Sequence, residues 1–367
     1  MLNVGLIFGG RSAEHDISLQ SAQFVLSQLD PARYQVTPIG ITRAGAWVLP
    51  HDAAAAMRHG LESVPCEPVT LLADPARPGL RAEADGRFIG LDFVFPILHG
   101  TFGEDGTIQG LLEMAGLPYA GAGVAASAVG MDKELMKAVF AAHGLAQVDH
   151  LVLRDRAADR AAASVADIAL IEARFSYPVF VKPANLGSSV GMTKAHDRVE
   201  LAAALQLAFS YDRKAIIEAA VVGRELECAL LGNADPVASV PGEVMPGNEF
   251  YDYEAKYTEG MMAFNVPAAV TPEQEQAVRE LAVAAYKAID CSGFARCDFF
   301  LEASSGDVLL NEINTIPGMT AMSGFPRLWA VSGVDNRQLV ERIVEFGLAR
   351  HAARARLARS RQAADQG

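Results

Sequence analysis

Residues 295–318 read ARCDFFLEASSGDVLLNEINTIPG, two strand-like runs joined by the turn-rich segment Ser304, Ser305, Gly306 and Asp307. Period-two alternation sets Arg296, Asp298 and Phe300 on one face of the first strand, and Leu310, Glu312 and Asn314 on one face of the second. A hairpin centred on Ser305 brings Asp298 directly opposite Glu312 and Arg296 opposite Asn314, and opposed residues share a face. Two carboxylates at that range repel, so a positive charge belongs between them. An oxygen-only donor set suits Mg2+ or Mn2+ rather than zinc, and magnesium keeps waters and phosphate oxygens in its shell. By itself the pattern also fits a solvent-facing polar hairpin edge, although apolar residues flank the polar ones on both strands.

Upstream, FVKPANLGSSVGM (180–192) is a strand ending in Lys182, followed by a loop with Gly187, Ser188, Ser189 and Gly191. Glycines let backbone N–H groups approach phosphate oxygens, and the lysine supplies a point charge. The spacing is not that of a P-loop, in which the lysine closes the loop, and a plain flexible turn is the alternative. Lys133 sits in the first turn of a helix, where the macrodipole disfavours a cation unless an anionic ligand lies nearby; alone it also reads as a surface lysine.

Near the N-terminus, FGGRSAEHDISL (8–19) sets Glu14 and His15 beyond a glycine turn, without the G-x-G-x-x-G spacing or the later acidic residue of a dinucleotide site. PILHGTFGEDGTIQG (96–110) is a second glycine-rich loop, with His99, Glu104 and Asp105; a lone His99 more often serves structure. GNEFYDYEAKYTEG (247–260) is aromatic, charged and bordered by glycines, as a closing loop or an ordinary surface loop would be.

The alternation of apolar runs and helical stretches in the first third predicts a parallel α/β domain over 1–128. A change of texture after Gly130 begins a second unit, 129–219, and the strands and helix beyond it a third, 220–367. The 367 residues, 51% hydrophobic, are enough for such cores. A net charge of -13 argues against broad nucleic-acid binding. No export signal or membrane-length apolar run is visible, which predicts a soluble cytoplasmic protein. Cys66, Cys228, Cys291 and Cys297 read as small core hydrophobes, and the arginines from Arg350 to Arg361 as a solvated helix end or frayed tail.

Taken in order, GGRSAEHDISL, HGTFGEDGTIQG, MDKELMK, VKPANLGSSVGM, EFYDYEAKY, ARCDFF and NEINTIPGMTAMS resemble D-alanine:D-alanine ligases of the ATP-grasp superfamily, over about residues 4 to 350. The resemblance implies an N-terminal α/β domain followed by a two-lobed ATP-grasp fold. It also implies a reaction in which ATP phosphorylates one D-alanine carboxylate and the amine of a second D-alanine displaces the phosphate, giving a dipeptide for peptidoglycan. By the same resemblance Lys133 and Lys182 bind phosphates, Ser188 and Ser189 cover them, and Glu218, Glu225 and Phe250 hold the nucleoside. Asp298, Glu312 and Asn314 match the magnesium or manganese ligands, Glu312 bridging two ions about 3.5 to 4 Å apart. Glu14 takes the first D-alanine's ammonium, His99 contacts that substrate, and Ser323 holds the second carboxylate. Arg296 and the backbone N–H of Gly318 stabilise the oxyanion. Lys256 reaches the γ-phosphate, and Tyr257 closes over Glu14 and Ser188 and bears on the acceptor. A homodimer is the family expectation. The alanines after Glu218, in IIEAAVVGREL (216–226), depart from relatives with longer side chains there.

Two other readings stay open at this point. One is an ATP-grasp ligase with another acceptor, opposed only by Tyr257 and Ser323. The other is a nucleotide-binding regulator with a dead site, opposed by the intact Arg296, Asp298, Glu312 and Lys256.

Overall fold

The computed structural model describes residues 1–155, 165–246 and 262–357. Its first strand, β1 (Leu2–Gly9), is buried from Val4 onward and lies at the centre of a parallel trio. β2 (Tyr34–Ile41) flanks it on one side; the sheet continues through β3 (Trp47–Pro50), β4 (Cys66–Leu72), β5 (Gly79–Ala82) and β6 (Phe88–Gly90), and β7 (Phe93–Pro96) closes the other side. The near-continuous apolar runs of β1 and β7 suit strands covered on both faces. The expected parallel arrangement holds for β2, β1 and β7, and an antiparallel meander over β3 to β6 widens it. Helix α1 (His15–Gln28) packs on this sheet, which also carries α2 (Ala53–His59) and α3 (Thr107–Met114).

Helices α4 (Val124–Met131) and α5 (Lys133–Ala142) lead to a second, antiparallel sheet. Its strands are β8 (His150–Arg154), β9 (Val179–Pro183), β10 (Thr193–Ala195) and β11 (Lys214–Ala219), in the order β10-β9-β11-β8, backed by α6 (Val165–Arg174) and α7 (Arg198–Tyr211).

The third sheet holds β12 (Gly223–Gly232), β13 (Val237–Ala238), β14 (Gly242–Pro246), β15 (Met262–Asn265), β16 (Gly293–Glu302) and β17 (Val308–Asn314). Helix α8 (Pro272–Ala288) covers its apolar face. Its start is written locally: Pro272 follows a capping box in which Gln274 N donates to Thr271 Oγ1 (3.3 Å) and Thr271 N to Gln274 Oε1 (3.1 Å).

In β16 the alternation is regular: Ala295, Cys297, Phe299 and Leu301 enter the core, while Arg296, Asp298 and Phe300 face the opposite side. In β17 it is not. Arg296 pairs with Asn314 and Asp298 with Glu312, as the hairpin centred on Ser305 requires, but Phe299 pairs with Leu310. Asn311 is an extra residue in a β-bulge, so Leu310 joins Ile313 in the core instead of sharing a face with Glu312 and Asn314.

The chain ends on α9 (Gly324–Val331) and α10 (Asn336–Ala355), and α10 buries Leu339, Val340, Ile343 and Val344 in the same core cluster as Leu6, Phe8 and Phe95 of the first sheet. The arginine-rich end is therefore not simply a solvated tail. Arg350 stacks on Tyr119 (4.1 Å to the ring centroid) and donates to Ser292 Oγ (3.1 Å), to Tyr119 O (3.2 Å) and to Gly121 O. At this seam Gly293, with φ +80, lies so close to Gly121 that a Cβ would come within 3.1 Å of the Gly121 Cα. Among the described residues no helix is long and apolar enough to cross a membrane. Cys228, Cys291 and Cys297 are buried, and burial pushes the Cys228 and Cys291 thiols up to about 12; Cys66 is only partly buried.

Candidate active site

Asp132 caps α5 by accepting from the N–H groups of Glu134 (3.1 Å) and Leu135 (3.2 Å), which leaves Lys133 as the first helical residue. Lys133 Nζ donates to Leu186 O in the loop after β9 (2.8 Å) and lies 3.4 Å from Glu312 Oε2. Lys182 closes β9, and its Nζ sits 2.5 Å from Glu218 Oε2, while Lys137 Nζ holds the other oxygen of Glu218 at 2.7 Å. Burial alone would push the Glu218 carboxyl up; the two ammonium groups outweigh it and hold the carboxyl well below its usual range. Burial would likewise lower Lys182, but Glu218 and Glu312 raise it. Two cations share one anion here, so this buried trio carries one net positive charge.

On the facing hairpin Asp298 accepts from Arg296 at both oxygens, Nε to Oδ1 at 2.6 Å and Nη2 to Oδ2 at 2.7 Å, and from Asn314 Nδ2 at 2.9 Å. Glu227, buried on β12, comes within 3.5 Å of Arg296 Nε. Among the described residues no group of three or more His, Cys, Asp or Glu side chains is gathered for a metal ion. The donors offered here are two carboxylates and an amide, hard oxygens too few to enclose an ion without phosphate oxygens and water, which is the coordination that Mg2+ prefers. The residues fit such an ion.

Glu14 lies just ahead of α1, and its carboxylate accepts from Ser188 Oγ in the loop after β9. The approach depends on glycine: a Cβ on Gly100, whose φ is +71, would stand 2.3 Å from Glu14 Oε2. Ser188 and Ser189 themselves take positive φ, 50 and 57. His99 is 4% exposed, with Nδ1 2.9 Å from Ile316 O and Nε2 2.9 Å from Ser21 Oγ, so both ring nitrogens are bonded within the protein. Burial pushes His99 below its usual range. Glu104 accepts from Gly100 N (3.0 Å) and Ile316 N (2.9 Å); burial and the nearby Glu14 push it up to about 8 against those two N–H groups. Gly318 and Ser323 lie in the turn between β17 and α9, where the Ser323 hydroxyl accepts from Thr320 N (3.0 Å) and meets Thr320 Oγ1 at 2.8 Å.

Two cavities result. One, of about 500 Å3, is lined by Lys182, Ser189, Glu218, Glu225 and Asp298; the other, of about 830 Å3, by Glu14, His99, Arg296, Asn314, Gly318 and Ser323. Lys133, Ser188, Glu227 and Glu312 line both. The described candidates, from Glu14 to Ser323, thus gather around one divided cleft, while Phe250, Lys256 and Tyr257 lie outside the described residues. The sequence reading missed Lys137, Glu227, Asn311 and Ser21. Lys137, one helical turn beyond Lys133, was open to discovery from its i, i+4 spacing; Asn311 announces itself by no local signal.

Comparison with known proteins agrees with this geometry. Residues 3–122 match the family described as D-ala D-ala ligase N-terminus, and residues 139–345 the family described as D-ala D-ala ligase C-terminus. A D-alanine–D-alanine ligase of Heliobacterium modesticaldum is 46% identical over 98% of each chain. Among solved structures, the D-alanine-D-alanine ligase from Coxiella burnetii is 35% identical with a TM-score of 0.83, covering 97% of each chain. The VanG D-Ala:D-Ser ligase from Enterococcus faecalis is 34% identical with a TM-score of 0.84, covering 94% of this chain and 99% of its own. With family matches at both ends and near-complete coverage by its relatives, this chain belongs to the D-alanine–D-alanine ligase family and has the ATP-grasp fold.

Proposed function

We propose that this chain uses ATP to join two D-alanines, with the nucleotide in the smaller cavity and the amino acids in the larger. The observation that carries this reading is the shared wall of Lys133, Ser188 and Glu312, at which a γ-phosphate bound in one cavity would meet a carboxylate bound in the other. A carboxylate is a poor electrophile. One oxygen of the first D-alanine's carboxylate attacks the γ-phosphorus, ADP leaves, and an acyl phosphate forms. The amine of the second D-alanine then attacks the carbonyl carbon, loses a proton, and phosphate departs as the tetrahedral adduct collapses.

In this scheme Lys133 and Lys182 neutralise phosphate charge, Glu14 holds the first ammonium, and Ser188 ties Glu14 to the phosphate-covering loop. Arg296 and the Gly318 N–H stabilise the oxyanion, and Ser323 takes the second carboxylate. Glu218 orders the two lysines, and Glu225 faces the nucleoside. Asp298, Glu312 and Asn314 would hold Mg2+ or Mn2+, which when bound neutralises charge on the phosphates. The division into 1–128, 129–219 and 220–367 assigns the first part mainly to the amino acids and the other two to ATP. We further propose a cytoplasmic homodimer, which sedimentation would test.

The decisive measurement is phosphate release from ATP with D-alanine, L-alanine, D-alanine plus D-lactate and D-alanine plus D-serine, each with and without Mg2+. Release with D-alanine alone, dependent on the metal, is the expected result. Its absence overturns the reading, and release that needs D-serine would move the chain beside the D-Ala:D-Ser ligase.

A further inference from the structure

On either side of Gly318 the turn is held by residues from the first third of the chain. Ile316 is fixed at both of its polar backbone groups: its N–H goes to Glu104 Oε2 (2.9 Å), and its C=O faces His99 Nδ1 (2.9 Å). Three residues on, the Met319 N–H goes to Ser21 Oγ (3.2 Å), and that hydroxyl is 2.9 Å from His99 Nε2. These contacts span 212, 217 and 298 residues of sequence.

The hydrogens can be assigned. A ring nitrogen facing a carbonyl must donate, so in the neutral ring that burial favours, His99 Nδ1 carries the proton and Nε2 accepts from the Ser21 hydroxyl, whose oxygen accepts from Met319. Each member has one compatible role, and Ser21 is fully buried with His99 almost so. Only Pro317 and Gly318 lie between the two anchors; proline has no N–H and a fixed φ. The anchors occupy the N–H groups on either side and leave the Gly318 N–H as the donor that the turn presents.

We propose that Ser21, His99 and Glu104 are positioning residues for the oxyanion donor Gly318, acting through the backbone of Met319 and Ile316, so that the N-terminal part of the chain aims a group of the C-terminal part. This rests on the reading of Gly318 and Arg296 as the oxyanion pair. A preorganised donor loses much of its effect when displaced by a fraction of an ångström to an ångström.

The test compares Ser21→Ala, the near-isosteric Ser21→Cys, whose sulfur is a poor acceptor, and Arg296→Ala. For each, kcat, the KM for ATP and for D-alanine, and the affinity for a phosphinate mimic of the tetrahedral adduct are measured. Both Ser21 variants are expected to lose about tenfold to a hundredfold in kcat and in mimic affinity, with the KM for ATP within about twofold of the parent. Mimic affinity that stays at the parental value in both, or that falls only in step with ATP affinity, overturns the positioning role. The two failures separate cleanly: if Arg296→Ala leaves mimic affinity unchanged the oxyanion reading itself fails, and if Arg296→Ala weakens it while the Ser21 variants do not, only the positioning inference fails.

Discussion

Lys137 shows how a residue behind a binding wall can free the charge of a residue that lines it. Its side chain is 1% exposed and its ammonium grips Glu218, which also grips Lys182. A buried Lys–Glu pair alone would be neutral and would attract a polyphosphate little; the second lysine restores one unit of positive charge. Replacing Lys137 with methionine keeps the volume and leaves Glu218 paired with Lys182. The expected outcome is a KM for ATP raised about tenfold, the equivalent of about 1.4 kcal/mol, with the KM for D-alanine unchanged. Steady-state kinetics on Lys137→Met would discard the charge argument if both constants moved together. Lys133 and Lys182 were legible in the sequence because a helix start and a strand end give each a direction; Lys137 is marked only by its i, i+4 spacing from Lys133.

At the scale of elements, the β16–β17 hairpin was readable where chemistry constrains it and unreadable where it is irregular. The Asp298–Glu312 and Arg296–Asn314 pairs follow from the position of the turn at Ser305. The bulge does not, since Asn311 is inserted without a glycine or proline to mark it, and strict alternation then assigns Leu310 to the wrong face. Omitting Asn311 in thought leaves a regular ladder in which Glu312 still opposes Asp298 and Leu310 still enters the core. The extra residue therefore serves its own groups: its side-chain oxygen lies 3.5 Å from Lys182 Nζ and its carbonyl 3.5 Å from Lys137 Nζ. Deleting Asn311 should preserve the fold, with a thermal midpoint within a few degrees, while raising the KM for ATP about three- to tenfold through loss of two weak contacts to charged groups. Loss of folded structure in that variant would show that the bulge is needed for the sheet rather than for the lysines.

The molecule as a whole is held together by contacts that no local pattern announces. Arginines spaced along the last helix carry the signature of a solvated surface, and Arg356 is indeed exposed. Arg350 differs because its partners, Tyr119 and Gly121, lie 231 and 229 residues upstream, where the chain leaving the first sheet passes the start of β16. Its planar group stacks on one aromatic face and satisfies two buried carbonyls together, a geometry that lysine cannot reproduce. Arg350→Met would strand those carbonyls, at a cost of about 2–4 kcal/mol, and lower the thermal midpoint by several degrees, whereas Arg356→Ala should stay within about 0.5 kcal/mol of the parent. Thermal unfolding of the two variants side by side checks this, and equal midpoints would return the whole segment to the status of a surface helix. The same seam carries the Gly293–Gly121 contact and the anchors on Ile316 and Met319, so a loosened Arg350 should also lower kcat more than it raises the KM for ATP.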